Sequence, residues 1–417
     1  MLINILNILT EASLYLLLFA VTFSNSATEI FAISIIVFFA IKKVVLKSYK
    51  MPKTPINLCL YALCLVIFVT FLRSAYFSES IRGFIRIIKF AFLFFALFEF
   101  FSDDKKRLIR TFWVIMGIAC FTFLNGIFQS IHGFDLVRHY DLTKDDYLRR
   151  IQASFGHPND FAAYIIFILP LTFCLFCKEL KRNQRVFLVM NCLLGAYCLL
   201  KTSSRAAWLG FLIGLIIYFL YYKKKILIFI PLVLALLALL IPHGVDRIAD
   251  LFKAEHNTVW ERVQLWKGTL AMVKVHPFLG FGVNTFSRYF PLFKPPDYPD
   301  FRYTHNSYLQ MWSEIGIIGL TAFLSVIFAV LKNVFCFLRN KVNSGLSGFV
   351  LLGIVAGYAA FLIQSGLDTN LFSLRLTTLF WVMTAYVLSI NKALEEGIAS
   401  SPAAFGGDAP RNDGGAL

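Results

Sequence analysis

The chain has 417 residues, 58% of them hydrophobic and only 15% charged, with 46 phenylalanines and a mean hydropathy of +0.70. So few charges cannot cover that much apolar surface in water, which excludes a soluble domain and reads as an all-α polytopic membrane protein. The formal net charge of +16 calls for no nucleic-acid partner, because Lys and Arg gather in cytoplasmic loops of membrane proteins whatever the function.

Apolar runs of spanning or near-spanning length lie at 4–23, 27–41, 56–72, 82–101, 111–130, 159–177, 186–201, 206–222, 226–242, 307–337, 346–365 and 376–391. They predict about 12 transmembrane helices. The runs at 27–41 and 186–201 are short, which suits tilted or partly interfacial segments. The N-terminal MLINILNILTEAS has neither a basic flank nor a small-residue cleavage site, so it reads as a retained first helix. The eight cysteines all fall inside apolar runs, where Cys174 and Cys177 of the CxxC read as packing residues.

Basic residues follow every second run. Lys42 and Lys43 lead the group after the second, Lys105 and Arg107 lie after the fourth, Lys178 and Arg182 after the sixth, Lys223 after the eighth and Arg339 after the tenth. That alternation predicts a multi-pass protein with both termini in the cytoplasm. Residues 1–396 then form a single transmembrane domain. The Gly-, Ala- and Pro-rich tail 397–417 reads as disordered, or as vector-derived sequence.

Two long polar segments, 131–158 and 243–304, are left for the opposite face. The second is a large periplasmic loop between the ninth and tenth helices. Within it, Val259, Val263, Trp266, Leu270 and Val273 repeat at four-three spacing, which predicts a helix lying on the membrane interface with Arg262 at the margin of the stripe. HPFLGFGVNTF then forces a turn, and a Pro-rich stretch leads to YTHNSYLQMWSEIGIIG. His305 is therefore expected at the mouth of the tenth helix, with Glu314 nine residues on. Imidazole titrates near neutrality, so it can take up and release a proton there, although a lone His at a helix start also serves as a hydrogen-bonded interfacial residue. All seven histidines lie in or beside the polar segments, but no pair stands at helical ligand spacing and no HExxH occurs. No metal site and no cofactor are expected.

Arginine on the outer face is the anomaly. Arg138, Arg149, Arg150, Arg205, Arg247, Arg262, Arg288, Arg302 and Arg375 all map there. Some balance local acids, but Arg205 sits in a turn of a few residues between two spanning helices, where a charge needs a partner or a polar cavity. Arginines near helix ends beside one histidine suit group transfer from a lipid diphosphate: the guanidinium groups neutralise the leaving pyrophosphate and the imidazole deprotonates an incoming hydroxyl.

Four segments in order, RIQASFGHPNDFAAY, TSSRAAWLG, WERVQLWKGTLAMVKVHPFLGFGVNTF and THNSYLQMWSEIGIIG, resemble the O-antigen ligase and polymerase superfamily of bacterial envelope glycosyltransferases. The resemblance covers about half of the chain. It implies a glycosyltransferase C-like fold in the inner membrane and an inverting, metal-independent transferase with its active site facing the periplasm. The implied donor is a glycan on undecaprenyl diphosphate, and the implied acceptor is lipid A-core. Carried over onto these motifs, His305 is the catalytic base and Arg150, Arg205 and Arg262 bind the diphosphate, while Asp368 orients the base or the acceptor; Glu314 matches the family's helix acid, either in that orienting role or as a packing or backbone partner. The outer sequence concentrated before the tenth helix favours a ligase. An O-antigen polymerase using the same lipid-linked donor is the alternative, and a flippase or transporter a further one.

Overall fold

The computed structural model describes residues 1–142, 149–223, 258–294, 298–341 and 345–397. The ninth predicted run at 226–242, the first part of the large loop and the tail from 398 lie outside the described residues. Every regular element among those described is helical. In chain order they are α1 (Leu2–Ala20), α2 (Asn25–Val45), α3 (Asn57–Leu72), α4 (Phe77–Asp103), α5 (Lys106–His132), α6 (Pro158–Ile168), α7 (Arg182–Thr202), α8 (Arg205–Tyr222), α9 (Thr258–Val275), α10 (Ser307–Lys341), α11 (Gly345–Ser365) and α12 (Leu374–Glu395).

Seven of these are long and apolar enough to cross a membrane: α1, α5, α6 with its continuation to Phe176, α7, α8, α10 and α11. The helices α2, α3, α4 and α12 coincide with predicted runs but do not meet the same criterion among the described residues, α3 being only 16 residues long. The runs at 27–41 and 186–201 are not short helices, because α2 and α7 each extend to 21 residues by taking polar residues into their ends. The run at 159–177 changes character part-way. Beyond Ile168 it continues as a 3-10 helix, Leu169–Phe176, because Pro170 lacks the N–H that an α-helix would use there.

Close approach of α8 to α11 brings two chain segments together. Gly210 and Gly214, four apart on α8, face the backbone of α11, and a methyl group on either would meet the Ala360 or Ala356 carbonyl at 2.6 or 2.7 Å. Small residues at this spacing let two apolar helices touch along their backbones. The first residue of α8, Arg205, and the link beyond α11, which holds Asp368, therefore belong to the same end of the bundle.

The tenth helix is broken. At Gly316 the backbone turns to φ 67°, and the HPFLGFG segment fills the gap. Phe281 N donates to Ser313 O at 3.0 Å and Gly282 N to Glu314 O at 2.8 Å, while Ile317 N donates to Pro277 O at 2.9 Å. Trp312 Nε1 donates to Pro277 O at 3.1 Å. Backbone groups released by the break are thus paired again by the loop, a requirement wherever non-helical backbone enters an apolar region. A side chain at Gly316 would collide with the Phe278 carbonyl. The α4 start closes the other side: Ser80 Oγ donates to Val283 O at 3.0 Å and Asn284 Nδ2 to Glu79 O at 3.0 Å.

Candidate active site

Four loops meet at one end of the bundle, and their centre is Asp368, in the link between α11 and α12 and only 5% exposed. Its Oδ1 accepts from Thr369 N at 2.8 Å and lies 3.1 Å from His305 Nδ1. Its Oδ2 accepts from Asn159 Nδ2 at 2.6 Å and lies 3.9 Å from Arg262 Nη2. Burial pushes this carboxyl up, but the His305 hydrogen bond and the charges of His305 and Arg262 outweigh burial and hold it at about 2. An ionised carboxylate only accepts, so His305 Nδ1 carries a hydrogen, and in the neutral imidazole Nε2 is then the nitrogen that can accept a proton. The imidazole side chain is 31% exposed.

Local sequence explains the placement of each group. His157 and Pro158 open α6, with His157 Nδ1 accepting from Asn159 N at 3.2 Å, a cap followed by a proline at the first helical position. The cap fixes Asn159 next to Asp368. Asn159 Oδ1 in turn accepts from Arg150 Nη2 at 2.7 Å, and Arg150 Nε donates to Thr202 O at 2.7 Å. Ser203 ends α7 in the left-handed region at φ 51°, so that the exposed Arg205 can begin α8 two residues later. Arg375 holds the other part of the SFG motif, donating to Ser154 O at 3.0 Å and to Phe155 O.

His305 itself has φ 51°, a strained conformation for a residue with a Cβ. Its neighbours hold it there. Thr304 N donates to Gln310 Oε1 at 3.2 Å, and Thr304 O accepts from Trp266 Nε1 at 3.1 Å. Asn306 Oδ1 accepts from Tyr308 N and Leu309 N at 3.1 and 3.0 Å, capping α10. Ser307 donates to Asp368 O through both N and Oγ, at 3.2 and 3.0 Å. Asp368 therefore grips the histidine segment twice, by its carboxylate and by its backbone.

His305, Arg262 and Arg150 are thus gathered about one carboxylate, Arg150 through Asn159. Arg205 stands three residues beyond the Thr202 carbonyl that Arg150 binds. Glu314 is placed elsewhere. Its buried carboxylate accepts from Asn284 N at 2.7 Å, Phe286 N at 3.4 Å and Gln310 Nε2 at 3.2 Å. It ties the large loop to α10 and reaches His305 only by way of Gln310 and Thr304.

Leu265 and Met272 of the loop helix α9 pack against Phe286, Phe290 and Tyr298, and Val273 of the expected stripe is buried too, whereas Val263 and Leu270 of that stripe are exposed. Trp266, expected in the lipid-facing stripe, is partly buried and pins Thr304 instead. Asn159, Asn306 and Gln310 were not singled out in the sequence. The signal for the first two was adjacency, since each lies beside a proline or histidine at the start of a helix.

Residues 190–324 match the family model described as O-Antigen ligase. That span includes Arg205, Arg262, His305 and Glu314 but neither Arg150 nor Asp368. The chain is 26% identical over 257 residues to a ComP-specific O-oligosaccharyltransferase of Acinetobacter baylyi, covering 57% of this chain and 45% of that protein. It is also 26% identical over 272 residues to a putative polysaccharide ligase of Rickettsia felis, covering 61% of this chain and 63% of that one. The matches therefore span less than two thirds of the length of either relative. They are to glycosyltransferase-type enzymes, and the likeness to the O-antigen ligase family, carried by residues 190–324, is shown.

Proposed function

We propose that the chain is an O-antigen ligase of the bacterial inner membrane, moving a glycan from undecaprenyl diphosphate to a sugar hydroxyl of lipid A-core on the periplasmic face. The observation that supports this most is the convergence of His305, Arg262 and, through Asn159, Arg150 on the ionised Asp368. The acceptor hydroxyl gives its proton to His305 Nε2 while its oxygen attacks the anomeric carbon from the face opposite the diphosphate. The carbon–oxygen bond to the diphosphate breaks, and the leaving group departs with the electron pair and inverts the centre. Asp368 stabilises the imidazolium that forms. Arg262 and Arg205 meet the leaving diphosphate, and Arg150 adds charge while aligning Asn159. The arginines take the part a metal ion plays elsewhere.

A second acceptor is favoured by the Acinetobacter baylyi relative, whose name specifies an O-oligosaccharyltransferase. Purified protein given undecaprenyl-diphosphate glycan and rough lipopolysaccharide should produce a ladder of glycan-bearing lipopolysaccharide. Product on a protein hydroxyl and none on lipopolysaccharide would replace the acceptor. Longer lipid-linked glycan alone would make the chain a polymerase.

A further inference from the structure

We infer that Tyr303, paired with Phe372, is a stacking subsite for the ring of the acceptor sugar beside His305. The inference rests on the transfer to a sugar hydroxyl proposed above and names what holds that sugar. Residues 303–307 and 368–372 are tied together at three points. Ser307 Oγ donates to Asp368 O at 3.0 Å and accepts from Leu371 N at 3.4 Å. His305 Nδ1 lies 3.1 Å from Asp368 Oδ1. The rings of Tyr303 and Phe372 make the third tie, with centroids 6.3 Å apart and planes tilted by 53°. The same two segments thus supply both the base with its carboxylate and an aromatic pair beside it.

Local structure leaves the Tyr303 ring open. Thr304 is wholly buried, its Oγ1 donating to Asn306 O at 2.6 Å, while Tyr303 and His305 on either side of it reach solvent, Tyr303 being 43% exposed. Phe372 ends a short 3-10 helix, Asn370–Phe372, whose other two residues are buried. A pyranose carries C–H groups on its faces and hydroxyls round its rim. Its C–H face packs on the electron-rich face of an aromatic ring, and the hydroxyls stay free for polar partners. Nε2 of His305 takes a proton only from a hydroxyl held within hydrogen-bond reach. A sugar resting on Tyr303 brings its rim to that nitrogen. In-line displacement puts the acceptor opposite the diphosphate, so the arginines serve the donor and the ring serves the acceptor. A serine or threonine of a protein has no such C–H face, and the subsite therefore selects a saccharide acceptor.

Initial rates of the purified full chain, with rough lipopolysaccharide varied at fixed lipid-linked donor and then the converse, test this. Tyr303→Ala should raise KM for lipopolysaccharide about three- to tenfold, the worth of one aromatic contact, with KM for the donor within about twofold of wild type. Tyr303→Phe and Tyr303→Trp keep a ring and should keep the acceptor KM close to wild type. Tyr303→Leu, bulky but without a ring, should reproduce the loss, and it decides the matter if Tyr303→Ala does not fold. An unchanged acceptor KM without the ring overturns the subsite. So does a Tyr303→Phe variant as impaired as Tyr303→Ala, which would assign the effect to the hydroxyl. Donor and acceptor KM rising together would make the ring an interfacial anchor instead. A wild type that yields no glycan-bearing lipopolysaccharide overturns the ligase reading and the subsite with it, whereas the other outcomes overturn the subsite alone.

Discussion

At one end of the bundle Lys105 meets Glu396 at 2.6 Å, Lys43 meets Glu99 at 2.5 Å and Lys42 pairs with Asp103. Each of these lysines has an acid beside it, Glu99 lying near both Lys42 and Lys43, and Asp103 and Glu396 are partly open to solvent. At the opposite end His305, Arg262 and Asn159 share a single carboxylate that is almost wholly buried. A pair that reaches solvent, such as Lys105 with Glu396, contributes little and can be exchanged. A buried carboxylate with several partners cannot lose one without exposing the others to an uncompensated charge. The difference teaches where substitutions should tell.

The largest effect should come from His305→Ala. Loss of a general base costs on the order of a hundredfold to ten-thousandfold in rate, and the buried Asp368 carboxylate, left without this partner, should lower the melting temperature as well. Transfer within about threefold of wild type would make His305 an interfacial structural residue. Asp368→Asn should follow, because the amide no longer fixes the imidazole tautomer, and transfer should fall by about a hundredfold or more.

Arg262→Lys and Arg205→Lys should each lower transfer by roughly tenfold despite keeping the charge, measured with lipid-linked donor at several concentrations. Lysine variants that match wild type while alanine variants fail would mean that charge alone matters. Activity should also persist in excess chelator, the arginines neutralising the leaving group. Loss on chelation that is restored by a divalent ion would break the proposed division of labour.

A pH series sharpens the contrast further. Asp368 is held at about 2 in the folded chain, below the roughly 3.9 of a free aspartate. Its contribution to stability is therefore complete above about pH 4 and lost as pH falls from there through 2. The melting difference between wild type and Asp368→Asn should shrink as pH falls below about 4. The smallest effect belongs to the other end, where Lys105→Ala should change stability by less than about 1 kcal/mol and leave transfer unaltered.

Much of this contrast is legible in the sequence. Long apolar runs mark most helices, and arginine or histidine beside a helix end marks His305, Arg205, Arg262 and Arg150. Periodicity was less informative for α9. Its four-three repeat identifies an apolar stripe, but Leu265 lies one residue from Trp266, about 100° around the helix, and the side that packs was decided by Phe286 and Phe290. Pairings between distant segments left no local trace. Nothing near Glu314 announces the amides of Asn284 and Phe286, and nothing near Gly316 announces the Pro277 carbonyl.

The break at Gly316 has a consequence for height. From Ile317 to Lys341 the helix runs for about 37 Å, already more than the roughly 30 Å of hydrocarbon in a bilayer. The nine residues before the break are then surplus to crossing, and they act as a pedestal about 14 Å tall with His305 at its top. The clasp of Pro277 to Gly282 sets that stature, much as a collar sets the working length of a shaft. Under the function proposed above, that height would set the spacing between a lipid anchor and the reacting carbon.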